Sequence, residues 1–391
     1  MKKICLLFCI FSLLCPIVVN ADATIRVNGS STLAENAKSV IMIEASTGKV
    51  LYERDADIKS APASMTKMMS LLLIMEAIEN KVIKLTDMVT VSENASSMGG
   101  SQILLETGEK MSVDDMIKGI SIASANDAVV ALAEKIAGSE KEFVNMMNKR
   151  AKELGLTNTN FKNPHGLDTV DHYSSARDMS TIARELVKHK KILDYSSIYE
   201  DYLREDTDRK IWLVNTNKLV RFYDGVDGLK TGYTKEAGYC LTATAKKDGM
   251  RIITVVMGEK DSKTRNSDTT ELLDYAFANY KVQSLVKSSD NIGRVKVLKG
   301  KKKYVSLRPL EEATILNKKI NKNKKATYQI DAKSITAPVK EGDIVGKMNI
   351  IVNGKKDRTI NLTVTKNVKK ATFLELYLNN IKDIISGEVG L

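Results

Sequence analysis

The chain has 391 residues, 43% of them apolar and 28% charged, enough for a buried core and two domains. Its formal net charge of +12 is uneven: residues 283–370 hold 22 Lys or Arg against 7 Asp or Glu, and residues 22–282 are slightly acidic. Three of the 4 cysteines (Cys5, Cys9, Cys15) precede residue 16 and the 3 histidines (His165, His172, His189) are dispersed, which excludes a disulfide framework and leaves no metal or other cofactor implied.

Lys2 and Lys3 form a short positive head, an apolar run extends from Ile4 to Val19, and Val19-Asn20-Ala21 offers a small-residue cleavage site. The run is too short for a membrane span and is broken by Pro16, so residues 1–21 read as a secretory signal peptide, with an uncleaved anchor as the alternative. The protein is then exported, to the outer face of the cytoplasmic membrane and the cell wall. Nucleic acid is a poor partner there. The basic segment suits an anionic lipid surface or wall polymer, or is a solvated lysine-rich face.

Ser39–Ile43 and Lys49–Tyr52 read as strands around Ser46-Thr47-Gly48. After Pro62 a long apolar helix is predicted to begin near Ser64, and helical segments dominate to about His189. Ser112 with Asp115, Ser139 with Glu142, and Ser175 with Asp178 mark helix starts. Strands return from about Trp212, and Tyr239–Ala245 and Arg251–Val256 flank Lys247-Asp248-Gly249, a hairpin pattern. A helix at about 267–280 closes a domain spanning 22–282. This order predicts an α/β (mixed) domain with a helical cluster and an antiparallel sheet. Residues 284–291 read as a linker, 283–370 as a small all-β basic domain, and 371–391 as an amphipathic helix. In that helix Phe373, Leu374, Tyr377, Leu378, Ile381, Ile384 and Ile385 share one face, which suits a membrane interface or packing on the β domain.

Three short motifs carry chemistry. In Ser64-Met65-Thr66-Lys67 the lysine lies one helical turn from the serine on the same face. Apolar Met68, Leu71 and Leu72 would desolvate Lys67, disfavour its charge and let it take the serine proton. Ser-x-x-Lys recurs at Ser46–Lys49 and Ser284–Lys287, but no helix holds those pairs together. Ser124-Ala125-Asn126 sits in a turn between helices, where Ser124 can shuttle a proton and Asn126 can hold Lys67 and a substrate carbonyl; a plain helix cap is the alternative. Lys230-Thr231-Gly232 is placed just before a strand. There Lys230 and Thr231 can bind a carboxylate, and Gly232 admits a substrate backbone.

Each motif alone is common. Together and in this order, with 60 residues from Ser64 to Ser124 and 106 from Ser124 to Lys230, they form the signature of penicillin-binding proteins and class A β-lactamases. With Ala61-Pro62-Ala63, Met98-Gly99-Gly100-Ser101, Asn163-Pro164-His165-Gly166-Leu167, Ser175-Ala176-Arg177-Asp178 and Val226-Asp227-Gly228-Leu229, nearly the whole chain resembles a D-alanyl-D-alanine carboxypeptidase of the low-molecular-mass, type-5 penicillin-binding protein family. The resemblance implies a serine-type enzyme that removes terminal D-alanine from peptidoglycan stem pentapeptides, is inhibited by β-lactams and touches the membrane through its C-terminal helix. It implies Ser64 as the acylated nucleophile, Lys67 as base, Ser124 and Asn126 in proton transfer and positioning, and Lys230, Thr231 and Gly232 at the substrate. It implies the backbone N–H groups of Ser64 and Tyr233 as oxyanion hole. Relatives often carry His at the Tyr233 position, and some carry Arg within the stretch matching Asn215-Thr216-Asn217, where this chain has none.

A β-lactamase shares the acylation machinery, and a D,D-endopeptidase shares the bond chemistry. A non-catalytic wall- or membrane-binding protein needs neither Ser64 nor Lys67. No glutamate stands out as a deacylation base, and a second domain is superfluous for a lactamase, so the carboxypeptidase is the reading carried forward.

Overall fold

The computed structural model describes residues 32–321 and 324–385. The expected signal peptide, residues 1–21, and the tail of the expected terminal helix, residues 386–391, lie outside them.

Strands β1 (Ser39–Glu44) and β2 (Val50–Arg54) pair around the turn that the sequence predicts. A 3-10 turn at Ala63–Thr66 runs straight into α1 (Lys67–Glu79). The helical region comprises α2 (Glu93–Ser96), α3 (Val113–Ala123), α4 (Asn126–Ala137), α5 (Glu140–Glu153), α6 (Ala176–Leu186) and α7 (Lys191–Ser196). A ribbon of β3 (Met88–Thr90) and β4 (Lys110–Ser112) sits among them. The predicted starts are real caps: Ser112, Ser139 and Ser175 accept from the N–H groups of Asp115, Glu142 and Asp178 at 3.1, 3.2 and 3.2 Å. Each cap contributes about 1 kcal/mol to its helix.

A hairpin of β5 (Glu200–Leu203) and β6 (Ile211–Val214) follows, then α8 (Leu219–Phe222). The meander β7 (Val226–Thr234), β8 (Gly238–Lys247) and β9 (Met250–Glu259) leads to α9 (Ser262–Asn279). The main sheet is antiparallel with order β2-β1-β9-β8-β7, so β7 is an edge. Both faces are covered. Ile41, Ile43, Ile253 and Val255 pack on the helical cluster, while Val40, Met42, Ile252 and Val256 pack on Leu272, Leu273 and Ala276 of α9. The period of two thus buries every residue of β1, which is why it reads as an unbroken apolar run. Within the cluster α1 is nearly all buried, and each leucine or methionine it buries contributes roughly 1.5–3 kcal/mol.

The second part is all-β. It contains β10 (Tyr280–Val286), β11 (Gly293–Leu298), β12 (Tyr304–Pro309), β13 (Ala313–Lys318), β14 (Ala326–Asp331), β15 (Ile335–Thr336), β16 (Ile344–Val352) and β17 (Lys355–Val364), then α10 (Phe373–Ile385). One sheet has the order β14-β16-β17-β12-β11-β15, and β10 pairs with β13 in another. This corrects the linker expected at 284–291: Ser284, Leu285 and Val286 belong to β10, and their partners lie about thirty residues downstream. The parts meet at the β1–β2 turn. Arg184 donates from Nε to Ala45 O at 2.6 Å, while Arg358 of β17 donates to Ser46 O at 2.9 Å and to Thr314 O at 3.0 Å. Lys49 pairs with Asp357 at 2.5 Å.

Candidate active site

The 3-10 turn and helix start at residues 63–67 place the expected nucleophile and base together. Ser64 lies in the 3-10 turn and Lys67 is the first residue of α1, so the helix begins three residues later than the sequence predicts. Lys67 Nζ is 3.0 Å from Ser64 Oγ and donates to His165 O at 2.8 Å. Lys67 is fully buried at 0% exposure. Burial first, then the charge of Lys230, hold its pKa well below the ordinary lysine value, against the opposing pull of Asp127. A neutral amine that spends one N–H on a carbonyl keeps its lone pair for the serine proton.

The His165 carbonyl is held there by a loop wired to α1. Asn163 Oδ1 accepts from Gly166 N at 2.6 Å, and Ser70 Oγ donates to Pro164 O at 2.6 Å. Gly166 has φ +90°, and a Cβ there would overlap the Ala63 carbonyl, so the loop lies flat on the nucleophile turn only as glycine. Burial drives the His165 imidazole down to about 3 and that of His172 to about 4, so both are neutral at pH 7. The Nδ1 of His172 accepts from Lys162 N at 3.0 Å, which leaves its Nε2–H to donate to Thr66 Oγ1 at 2.8 Å. No side-chain chemistry marks His165 in advance. Its contribution is a backbone oxygen, and only the family-like segment 163–167 pointed to it.

Ser124 caps α3 in the left-handed conformation with φ 65°, and Asn126 opens α4. Both are buried. Ser124 Oγ and Asn126 Oδ1 have no partner among the described residues. Asn126 does not hold Lys67 as the sequence suggested. Its Nδ2 donates to Gly99 O at 2.6 Å and its N–H to Ser101 O at 2.7 Å. Asp127, also fully buried, fixes the same segment by accepting from Leu105 N at 3.0 Å and Ile103 N at 3.1 Å.

Lys230, Thr231 and Gly232 lie inside β7 rather than before it, on the sheet edge. Lys230 is 1% exposed and donates to Thr231 O at 3.0 Å. Burial and then the charge of Arg265 on α9 lower it to about 7. Thr231 Oγ1 donates to Thr216 Oγ1 at 2.8 Å. Asn215 and Asn217 are structural: their amides bind the carbonyls of Ile198 at 2.7 Å and Gly228 at 3.0 Å. Gly232 makes room for the nucleophile turn. A Cβ there would sit 2.9 Å from Pro62 O and 3.2 Å from Ser64 N, a demand for glycine that motif reading did not anticipate. Tyr233 is 54% exposed and its ring leans on Tyr239 at 4.3 Å between centroids. The eight expected residues thus fall on three segments: Ser64 and Lys67 at the start of α1, Ser124 and Asn126 at the α3–α4 turn, and Lys230, Thr231, Gly232 and Tyr233 in the edge strand β7. Arg265, His165 and Thr216 are contributors that motif reading missed.

The chain matches the family described as D-alanyl-D-alanine carboxypeptidase over residues 26–261 and that described as penicillin-binding protein 5, C-terminal domain, over residues 280–370. The D-alanyl-D-alanine carboxypeptidase DacF of Bacillus subtilis (strain 168) is 51% identical over 357 residues, covering 90% of this chain and 91% of that protein. Penicillin-binding protein 5 from Haemophilus influenzae superposes with a TM-score of 0.68 at 33% identity, over 87% of this chain and 99% of that one. Penicillin-binding protein D2 from Listeria monocytogenes, in an ampicillin-bound form, superposes with a TM-score of 0.57 at 30% identity, over 63% of this chain and 99% of that one.

Proposed function

The chain belongs to the D-alanyl-D-alanine carboxypeptidase family, and from this premise we propose that it removes the terminal D-alanine of peptidoglycan stem pentapeptides through an acyl-enzyme on Ser64. The observation that carries the assignment of Ser64 is its contact with Lys67, 3.0 Å away, buried, its pKa pushed well below the ordinary lysine value by burial and by the charge of Lys230. The substrate lies along the β7 edge as an added strand. Its terminal carboxylate meets Lys230 and Thr231, and its scissile carbonyl turns toward the N–H groups of Ser64 and Tyr233. Ser64 Oγ attacks as Lys67 takes its proton. Ser124 passes a proton to the departing D-alanine amine, and water then hydrolyses the ester. A β-lactam enters the same path, but its leaving group stays tethered to the acyl-enzyme. A β-lactamase or non-catalytic reading has no comparable support once family and site agree.

Mass spectrometry of penicillin-treated protein tests this. One adduct is expected on the peptide containing Ser64. Unchanged D-alanine release by Ser64→Ala would sink the assignment.

We propose domain limits of 1–21 for a signal peptide, 22–282 for the catalytic domain, 283–370 for the basic β domain and 371–391 for an interfacial helix, with the 282/283 limit falling inside β10, whose first residue Tyr280 opens the all-β part. Exposure of 86% at Phe373, 65% at Leu374 and 68% at Ile384 supports a membrane surface as the partner of α10. Among the described residues no helix is long and apolar enough to cross a membrane. Removing residues 371–391 should release the exported protein from membranes, and continued binding would refute the anchor.

A further inference from the structure

The β5–β6 hairpin carries an aromatic face that the reaction does not use. Tyr202 and Trp212 stand directly opposite each other across the pair. They are 39% and 58% exposed, whereas Leu203 and Leu213, pointing the other way, are 2% and 1% exposed. Lys210 lies over the Tyr202 ring at 4.0 Å and continues the same face. The hairpin also feeds the active site. Burial continues to alternate past β6, with Asn215 buried at 2% and Thr216 turned the other way, its hydroxyl accepting from Thr231 at 2.8 Å. Trp212 and Thr216 therefore share a face of one extended segment.

Four residues of extended chain separate them by about 13 Å. A pentapeptide stem spans at most about 17 Å. With the terminal carboxylate at Thr231, a stem running from Thr216 back toward Trp212 brings the sugar that bears it to the level of Trp212. An exposed indole offers a flat apolar surface with a polar edge, suited to the C–H face of a pyranose. Lys210 supplies a cation for the carboxylates of an anionic stem. We propose that Trp212, with Tyr202 and Lys210, forms a subsite for the glycan that carries the peptide, so that the enzyme reads the sugar as well as the D-alanine terminus. This rests on the carboxypeptidase reading of the β7 edge.

Trp212 is the only tryptophan of the chain, 1 in 391 residues, so its fluorescence reports on this face alone. In Ser64→Ala protein, which binds without turnover, a disaccharide pentapeptide should shift the emission and a free pentapeptide should not. In the active enzyme Trp212→Ala should raise KM for the disaccharide pentapeptide about tenfold and leave kcat and the free pentapeptide unaffected, with Trp212→Phe between. An equal effect on both substrates, or none, overturns the subsite. So does an emission shift produced by lipid vesicles and not by the disaccharide, which would assign the face to a membrane. Penicillin acylation of Ser64 in Trp212→Ala stays at the wild-type rate. A failure of acylation in wild-type protein would instead refute the catalytic reading itself.

Discussion

Replacing Lys67 by Met removes the amine and keeps the length and apolar character of the side chain. The cost to folding is bounded by one hydrogen bond. His165 O forfeits a donor at 2.8 Å, and a buried carbonyl left without a partner costs about 1–3 kcal/mol. Loss of an amine that burial already disfavours offsets part of that. The variant should fold. Its chemistry should not survive, because a positioned base contributes about 10²–10⁴ in rate, or roughly 3–5 kcal/mol. Stopped-flow acylation by a fluorescent penicillin at pH 7 and D-alanine release from a pentapeptide should both fall by that factor. Acylation within tenfold of wild type would refute Lys67 as the base. The companion variant Lys230→Met tests the electrostatics. The reactive amine is neutral, so the rate rises with pH through the Lys67 pKa. Lys230 is a positive neighbour that lowers that pKa, so removing it moves the acid limb of the acylation profile to higher pH. A limb that stays put or moves down would refute the coupling.

Three further outcomes follow from the same structure. Burial, reinforced by Asp268, raises the Glu259 carboxyl to about 8, so between pH 4.5 and 8 the folded state holds a proton that the unfolded chain releases. Stability should fall as pH rises through that window, and Glu259→Gln should flatten this slope in thermal melts, matching wild type near pH 5. Gly166→Ala drives a Cβ into the Ala63 carbonyl at a positive φ, and should cost at least about 1–3 kcal/mol in a denaturant titration and slow Ser64 acylation with it. Arg358→Ala strips a donor from Thr314 O and should lower the melting temperature by several degrees, at about 2–4 °C per kcal/mol, while kcat is unchanged.

The three motifs and the helix caps were legible because their partners are near in sequence. Ser139 and Glu142 sit three residues apart, and the Ser64–Lys67 pair needs only one helical turn. What escaped is built from distant segments. The role of Gly232 is set by Pro62 and Ala63, more than 160 residues upstream, and no property of Lys-Thr-Gly announces that contact. The charged run Glu200-Asp201-Tyr202-Leu203 hid β5, whose pairing with β6 leaves one face in water. Ser284–Val286 looked like a linker because its strand partner, around Thr314, offers no local turn signal. Lys230-Thr231-Gly232 was put outside its strand because β7 is buried on successive residues and shows no alternation.

The contacts at the β1–β2 turn have a mechanical consequence. β17 leads toward α10, so tension on the C-terminal segment enters through that strand. Arg358 and the Lys49–Asp357 pair connect β17 to the turn, and the β10–β13 ladder lies alongside the only covalent crossing, at Tyr280. Load is shared in parallel across these bonds instead of peeling one joint. Were α10 the membrane anchor proposed above, its pull would reach the body carrying the β7 edge through these bonds together with the covalent link.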